Sequence, residues 1–496
     1  MGARRDDITG SERAAIAIEV LNPNRPQGTM PRLAQRYNLS RQALYDIAAK
    51  TKQILATMLE PQPHGPQPGG QIIEVERNRL ERGVLTLTEL GASQRGIVFG
   101  LSELLDSKVS LGWVNGQISQ LEQEATIANQ QWQPSLGESM SGDEIYSNGQ
   151  PNLLVVGNDT LYIYALTRQD DCEGDTWAGV LLDMPEHPQF ASDAGAGLAA
   201  GVKTAEIEVH QLDWDHLLRP VWGQAARLER QAYAALQKVE ERVILFEKAT
   251  TTRRLQQHLD KWEILNREVE EKMALYDTFY PIARQIDHQF TLIDLETGLL
   301  TEAPTSITVL QSLGQQLQTW SGRIYHKLST NLQNWAPALF SYQIVLQPQL
   351  QLLQEQFGQP TVAALSRIWQ IEANQHRKPL SLLAHQQQQQ LWNHWVDEAY
   401  HLLGEQLWTA YETLSQLLSR SWRGSMLAEC VNSLLRPVLD RRQQTDQGCL
   451  ELFRFLHNVR PFARGKRAGH SPAELVGITL PDDPLSLLGL SSKVSI

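Results

Sequence analysis

The chain has 496 residues, 42% of them hydrophobic and 20% charged, with a formal net charge of −12. That is ordinary globular composition, long enough for about three or four domains, and it excludes a disordered or fibrous chain. No apolar run of about 18 residues occurs, so no membrane partner or membrane span is expected.

The opening MGARRDDITGSERAAIAIEV lacks the apolar centre and small-residue cleavage site of a secretory leader. Three widely spaced cysteines, Cys172, Cys430 and Cys449, read as reduced thiols of a cytoplasmic protein. The acidic mean conceals two basic ends. Residues 1–52 carry nine Lys and Arg against five Asp and Glu, and residues 436–467 carry eight against three. Localised basic ends on an acidic body suit a DNA-binding, nucleoid-associated protein, although ordinary solvated charge is the competing reading.

The segment PRLAQRYNLSRQALYDIAAK (31–50) predicts two short helices with Leu33 and Ala34 on the first and Leu44 on the second. Between them Asn38 tolerates the left-handed conformation of a tight turn, and Ser40 can cap the second helix. This is helix-turn-helix spacing, which places Arg41, Gln42 and Tyr45 at the start of the reading helix and Arg32 and Arg36 before it. A generic helical hairpin is the plainer alternative. Residues 1–59 are assigned to this DNA-binding domain and EPQPHGPQPGG (60–70) to a linker. Within 71–135, Ser93 and Ser110 each stand at a helix start, so a second helix-turn-helix is expected, with the helix after Ser110 as its reader.

Near residue 140 the pattern changes. MSGDEIYS, NLLVVGN and TLYIYALTR are β-rich runs separated by Asn148-Gly149 and Asn158-Asp159, and they predict three antiparallel strands. A helix over 175–184, a strand QFASD, a helix over 195–204 and a strand over 206–213 follow. Three antiparallel strands followed by helix–strand alternation is the order of the ribonuclease H fold. In it, Asp143 on the first strand and Asp193 after the fourth would face each other.

GDEIYSNGQPNLLVVGNDTLYIYAL and SDAGAGLAAGV resemble the segments that carry the first two acids in DDE transposases of bacterial insertion sequences. QLDWDHLLR resembles the strand and turn that follow. SMLAECVNSLLRPVLDRR (425–442) is similar to the helix of the third acid, with Glu429 the acid and Asn432 and Arg436 beyond it. The tail 449–477 is similar to the family's ending.

The resemblance implies an enzyme that binds double-stranded DNA at the element's terminal repeats, cuts it, and joins it to target DNA. Asp143, Asp193 and Glu429 would be its catalytic and metal-binding residues, holding two Mg²⁺ or Mn²⁺ ions about 4 Å apart. It implies a homodimer or larger assembly in the synaptic complex. Two alternatives stay open: a non-cutting DNA-binding regulator of transposon origin, and a ribonuclease H-like nuclease without strand transfer.

Other acids compete for these roles. Strand alternation turns Glu144 away from Asp143. Asp170, Asp171, Asp175 and Asp183 read as solvated. Asp213 reads as structural, with an auxiliary role open for it, for His216 and for Asn432. Cys430 reads as a small buried apolar residue.

Residues 219–420 predict an all-helical insertion, beginning with two long amphipathic helices in an antiparallel hairpin. The arrangement resembles that of hAT-like transposases. Nine of thirteen tryptophans lie between 219 and 422, mostly as core filler. Trp422, followed by Arg423, is the candidate for stacking on DNA. Arg436, Arg441 and Arg442 open the basic stretch that would follow DNA phosphates.

The expected fold is therefore α+β and multidomain. After the two helix-turn-helix modules comes a ribonuclease H-like α/β core (136–218), interrupted by the large all-α insertion. The core is closed by 421–480, and a tail runs over 481–496.

Overall fold

The computed structural model describes residues 8–59, 77–135, 137–184, 189–377, 381–441 and 445–490. The chain divides into two compact units, Met1–Glu74 and Val75–Ile496. The expected linker, 60–70, lies outside the described residues.

The first unit contains α1 (Gly10–Leu21), α2 (Thr29–Arg36) and α3 (Arg41–Leu59). Thr9 and Glu12 close a capping box at the start of α1. Ile16, Val20, Leu33 and Leu44 are buried together. Asn38 takes a φ of 47° between α2 and α3, and Ser40 Oγ accepts from the Ala43 N–H at 3.2 Å. The turn residues expected from the sequence therefore do the work that their chemistry suits.

The second unit begins with α4 (Arg77–Glu89), α5 (Gln94–Leu105) and α6 (Leu111–Gln131). Ser93 and Ser110 cap α5 and α6, each accepting a backbone N–H at 3.1 Å. Their core of Val84, Ile97, Leu101, Val114 and Leu121 is completed by Leu452 and Phe455 from near the chain's end. This trio is thus built into the larger unit.

One mixed sheet follows. Its strands are β1 (Ser139–Ser147), β2 (Gln150–Gly157), β3 (Ile163–Arg168), β4 (Gln189–Ser192) and β5 (His210–Leu212), with α7 (Gly174–Leu182) and α8 (Ala196–Thr204) between the later ones. The order is β3-β2-β1-β4-β5. β1–β2 and β2–β3 are antiparallel, whereas β1–β4 and β4–β5 are parallel. Asn148 and Gly149 both take positive φ, 51° and 78°, the geometry that suits a two-residue hairpin loop. The strand expected over 206–213 shrinks to three residues. Residues 206 and 207 are used to terminate α8, donating to Lys203 O and Val202 O, and Glu206 has a φ of 55°.

Alternation along β2 divides the core. Leu153 and Val155 pack with Trp177, Phe190 and Leu198 beside α7 and α8. Leu154 and Val156 pack with Ala428, Val431, Leu435 and Leu439, from the helix Met426–Arg441 near the chain's end. Each such aliphatic side chain contributes on the order of 1.5–3 kcal/mol when fully buried.

The helical part comprises α9 (Trp214–Glu247), α10 (Thr252–His288), α11 (Ala303–Gln318), α12 (Arg323–Trp335), α13 (Tyr342–Phe357), α14 (Gln359–Arg377), α15 (Leu382–Leu403) and α16 (Leu407–Leu418). It has its own core, joining Leu217, Val221 and Leu228 of α9 to Phe279, Ile286, Leu310, Leu332 and Leu365. The expected boundary at 218/219 falls inside α9, which runs unbroken from beside β5 into the helical part. Gln386–Gln390 lie within α15, and all but Gln388 are exposed. α17 (Met426–Arg441), α18 (Gln447–Val459) and α19 (Pro472–Leu475) bring the chain back to the sheet. Among the described residues no helix is long and apolar enough to cross a membrane.

Candidate functional site

The parallel ladder between β1 and β4 ends at the pair Gly142–Ser192. The next residue on each strand is an aspartate: Asp143 continues in β1 opposite Leu154 of β2, and Asp193 follows the end of β4 where the two strands part. A fork between neighbouring parallel strands is where open sheets place ligands.

Asp193 Oδ1 accepts the Gly195 N–H at 2.9 Å, just before α8. Asp143 Oδ1 accepts the Glu144 N–H at 2.9 Å, and its Oδ2 accepts from Asn432 Nδ2 at 2.8 Å. Asn432 lies on α17, three residues beyond Glu429, and both stand on the face that approaches β1.

Negative charge dominates this corner. Burial pushes the Asp143 carboxyl up to about 6. The Asn432 and Glu144 donors oppose that shift, and the Asp193 and Glu429 charges add to it. Glu144 is pushed up to about 7 by burial first, then by Asp193 and Asp143. Its Oε2 is buried without a hydrogen-bond partner, as is Asn432 Oδ1.

Glu144 feels the Asp193 and Asp143 charges although strand alternation turns it away from Asp143. Its side chain does leave the opposite face of β1, since a Cβ two residues earlier, on Gly142, would meet Phe190 and Leu198. The strand end is too narrow to screen the charges, so face alone does not separate the two acids.

Glu429 instead meets positive charge. His216 Nε2 lies 3.8 Å from its Oε1 and an Arg219 nitrogen 3.7 Å from its Oε2. His216 Nδ1 is 3.5 Å from Asp213 Oδ2, an ion-pair contact rather than a well-formed hydrogen bond. The Asp213 carboxylate holds the imidazole pKa above its ordinary value against the opposing effect of burial, and Asp193 and Glu429 act in the same direction.

Asp213 itself is 2% exposed. Against the cost of burial, His216 and the Ser425 and Asp215 N–H groups keep its carboxyl below the usual range. Ser425 N and Oγ donate to it at 2.9 and 3.0 Å, which anchors the start of α17 to the start of α9. Asp213 thus positions both His216 and the helix bearing Glu429.

Among the described residues, no three His, Cys, Asp or Glu side chains stand close enough together to enclose one metal ion. Each acid is instead turned to a protein partner: Asp193 to α8, Asp143 to Asn432, Glu429 to His216 and Arg219.

The other candidates are dispersed. Arg32 pairs with Glu19 at 2.6 Å. Arg36 lies over the Tyr37 ring, and Gln42 donates to Asp46. Arg41 and Tyr45 are exposed at the start of α3. Arg423 is turned inward, with its guanidinium 5.3 Å from the Trp214 ring and donating to Phe290 O. Trp422 is half-buried, with the Lys466 ammonium 5.6 Å from its ring and its own Nε1 buried without a partner. Arg436 is exposed on α17. The Arg441 side chain and all of Arg442 lie outside the described residues.

Asp170, Asp171, Asp175 and Asp183 are exposed. Cys430, expected to be buried, is exposed, because the inward positions of α17 are Ala428, Val431 and Asn432. Part of the basic stretch is structural: Arg454 donates to Ile163 O, and Arg467 to Asp159 O and Asn158 O.

No protein-family model matches this chain, and no curated protein matches its sequence.

Proposed function

We propose that this chain is a DDE transposase, with a ribonuclease H-like core and helix-turn-helix modules that bind the ends of a mobile element. The observation behind the reading is that the charges of Asp193, after the end of β4, and of Glu429, on a helix more than two hundred residues later, both reach the Asp143 carboxyl on β1, although the three side chains do not stand close enough together to enclose one ion. The sheet order β3-β2-β1-β4-β5, with β2 reversed, supports the ribonuclease H-like part.

The donors Asp143, Asp193 and Glu429 are all oxygen, the kind hard divalent cations prefer, and the Asp143 carboxyl is raised by burial and by its acidic neighbours. Enclosing an ion would require the three to draw together, with Glu429 leaving His216 and Arg219. Asp143, Asp193 and Glu429 would hold Mg²⁺ or Mn²⁺, two ions per site, which when bound polarise the phosphodiester and acidify attacking water.

The chain's own residues have further tasks. Asn432 fixes the Asp143 carboxylate. Asp213 fixes His216, which together with Arg219 can turn from Glu429 towards a phosphate oxygen. Arg36, Arg41, Gln42 and Tyr45 are available to double-stranded DNA along α2 and α3. Trp422 with Lys466 offers a ring and a cation to a strand end, and the exposed Arg436 extends the basic surface.

A non-cutting regulator of transposon origin has one observation in its favour: Glu429 already faces His216 and Arg219. A Mg²⁺-dependent assay on DNA carrying the inverted repeats that flank the coding segment separates the readings. Joined products support the transposase, cuts alone a nuclease, and mobility shifts alone the regulator. Asp193→Asn should abolish cutting and keep end-binding, and Mg²⁺ should raise the melting temperature of the wild-type chain but not of this variant. Unchanged cleavage by Asp193→Asn removes that residue from the site.

A further inference from the structure

α5 and α6 share a core of Ile97, Leu101, Val114 and Ile118. With Val114 and Ile118 turned inward, Gly112, Asn115, Gly116 and Ser119 stand on the outer face of α6 at i, i+3, i+4 and i+7, and all four are exposed. Glycine is among the least favourable residues within a helix. Nothing inside the protein requires it here, since a Cβ on Gly112 or on Gly116 would meet no atom within 4 Å. The two glycines leave Asn115 projecting from an otherwise bare stretch of backbone.

Gln94 Nε2, from the first turn of α5, donates to Asn115 Oδ1 at 2.8 Å. The amide is thereby oriented before any partner arrives, with its Nδ2 left to donate and the second lone pair of Oδ1 to accept. Beside it lies a polar crevice of about 720 Å³, lined in part by Thr88, Arg95 and Ser119. Thr88 is 7% exposed, and its buried Oγ1 has no hydrogen-bond partner. Of the acids bordering the crevice, Glu122 is buried, and Asp446 is committed to capping α18, accepting the Cys449 N–H at 2.9 Å. Residues 111–121 carry no charged side chain in a chain of net charge −12, whereas Arg95 on α5 and Lys108 just before α6 are exposed. An anionic partner therefore meets cations at the edge of this face and no repelling charge on it.

We propose that Asn115 reads an adenine in the major groove of double-stranded DNA, its Nδ2 donating to N7 and its Oδ1 accepting from N6. The adjoining phosphate strand lies by Arg95 and the Thr88 hydroxyl. Adenine presents an acceptor beside a donor on its major-groove edge, the pair that an asparagine amide matches. Gly112 and Gly116 let the helix seat deeply enough for so short a side chain to reach that edge. The inference rests on the helix-turn-helix reading above and deepens it by naming the base and the residue that reads it. It also puts sequence recognition on the body that holds the acids. Asn129 Nδ2 donates to Glu451 O at 2.9 Å, and Asn458 Nδ2 to Ile163 O at 3.1 Å, which ties α6 through α18 to β3.

Selection from a pool of random duplex DNA by the full chain tests it, with the bound sequences read by sequencing. The wild-type chain should select one adenine whose replacement weakens binding about tenfold or more. Asn115→Ala should lose the preference at that position alone. Gly116→Glu, which the open space allows without disturbing the fold, should lose it as well. Both variants should keep the wild-type circular dichroism. Arg95→Ala should instead weaken binding to all sequences alike and reduce its salt dependence.

Identical selected sequences for the wild type and Asn115→Ala overturn the inference. So does an Asn115-dependent preference for another base, a chain that leaves duplex DNA unbound, or one that retains duplex RNA in preference to DNA. The transposase reading fails separately. An Asn115-dependent adenine preference in a chain that never cuts DNA retains this inference and removes the transposase. A divalent-dependent strand transferase whose chosen sites are indifferent to Asn115 does the reverse.

Discussion

Asn432 Nδ2 donates to Asp143 Oδ2 at 2.8 Å across 289 residues of intervening chain. Through this bond α17 registers against the centre of the sheet, and it brings Glu429 with it. The helix is held besides by the Ser425–Asp213 bonds at its start and by apolar contacts such as Val431 and Leu435, which by themselves permit sliding by a fraction of a turn.

Truncating Asn432 should therefore cost more than its small size suggests. Asn432→Ala leaves a buried carboxylate short of a donor, a loss of about 1–3 kcal/mol. Urea unfolding measures it. A variant as stable as the wild type would mean that the bond is not holding the helix.

Glu144→Gln should act in the opposite direction. At pH 8 and without divalent ions, the charged Glu144 is repelled by Asp193 and Asp143, and its Oε2 has no partner. Replacing the charge should stabilise the fold by on the order of 1 kcal/mol after solvent screening is allowed for. Thermal melting in chelator reads the effect, and a fall in melting temperature would show that Glu144 is held favourably.

His210 makes the fold sensitive to mild acid. Burial lowers its pKa from 6.5 to about 4, and its Nε2 lies 2.7 Å from Ser192 Oγ, next to Asp193. The folded chain keeps the imidazole neutral, whereas the unfolded chain takes up a proton below pH 6.5. Stability is therefore complete above that value and falls as the pH drops from 6.5 towards 4. Between pH 7 and pH 5 the loss should be about 2 kcal/mol. His210→Gln should flatten that part of the urea-derived stability curve, and an unaltered slope would assign the acid sensitivity elsewhere.

Gly201 permits α7 and α8 to touch. A Cβ there would lie 2.4 Å from Trp177 Cβ, and one on Gly197 only 1.9 Å from Cys172 O. Gly201→Val should destabilise by about 1–3 kcal/mol or more, through overpacking against a buried tryptophan. Because α8 begins beside the Gly195 N–H that Asp193 accepts, the proposed DNA cleavage should fall further in this variant than the proposed end-binding does. Equal losses in both would indicate simple unfolding.

Much of this arrangement is legible in neighbouring residues. Ser93 and Ser110 mark their helix starts because a hydroxyl three residues from a free N–H is a local fit. Asn38 and Asn148-Gly149 mark turns because few side chains tolerate positive φ. The glycine-rich run after Asp193 reads correctly as a turn into a helix. Its second purpose, letting α8 press on α7, needs the partner helix to be known. Arg423 reads as a surface cation beside Trp422, yet Trp214 and Phe290, distant in sequence, draw it inward. Arg454 and Arg467 count as basic charge in the sequence, but both hold backbone carbonyls of the strand region.

Sequence alone therefore determined the elements: the alternation of β1 to β3, the amphipathic length of α9 and α10, the caps and the turns. Each depends on interactions within a few residues, whose energies are set by residue type and spacing. Tertiary structure alone decided which charges feel one another. Glu144 shares a field with Asp193, Glu429 faces His216, and Asp213 ties α9 to α17. Such couplings fall steeply with distance and grow with burial, and both quantities exist only once remote segments have packed together.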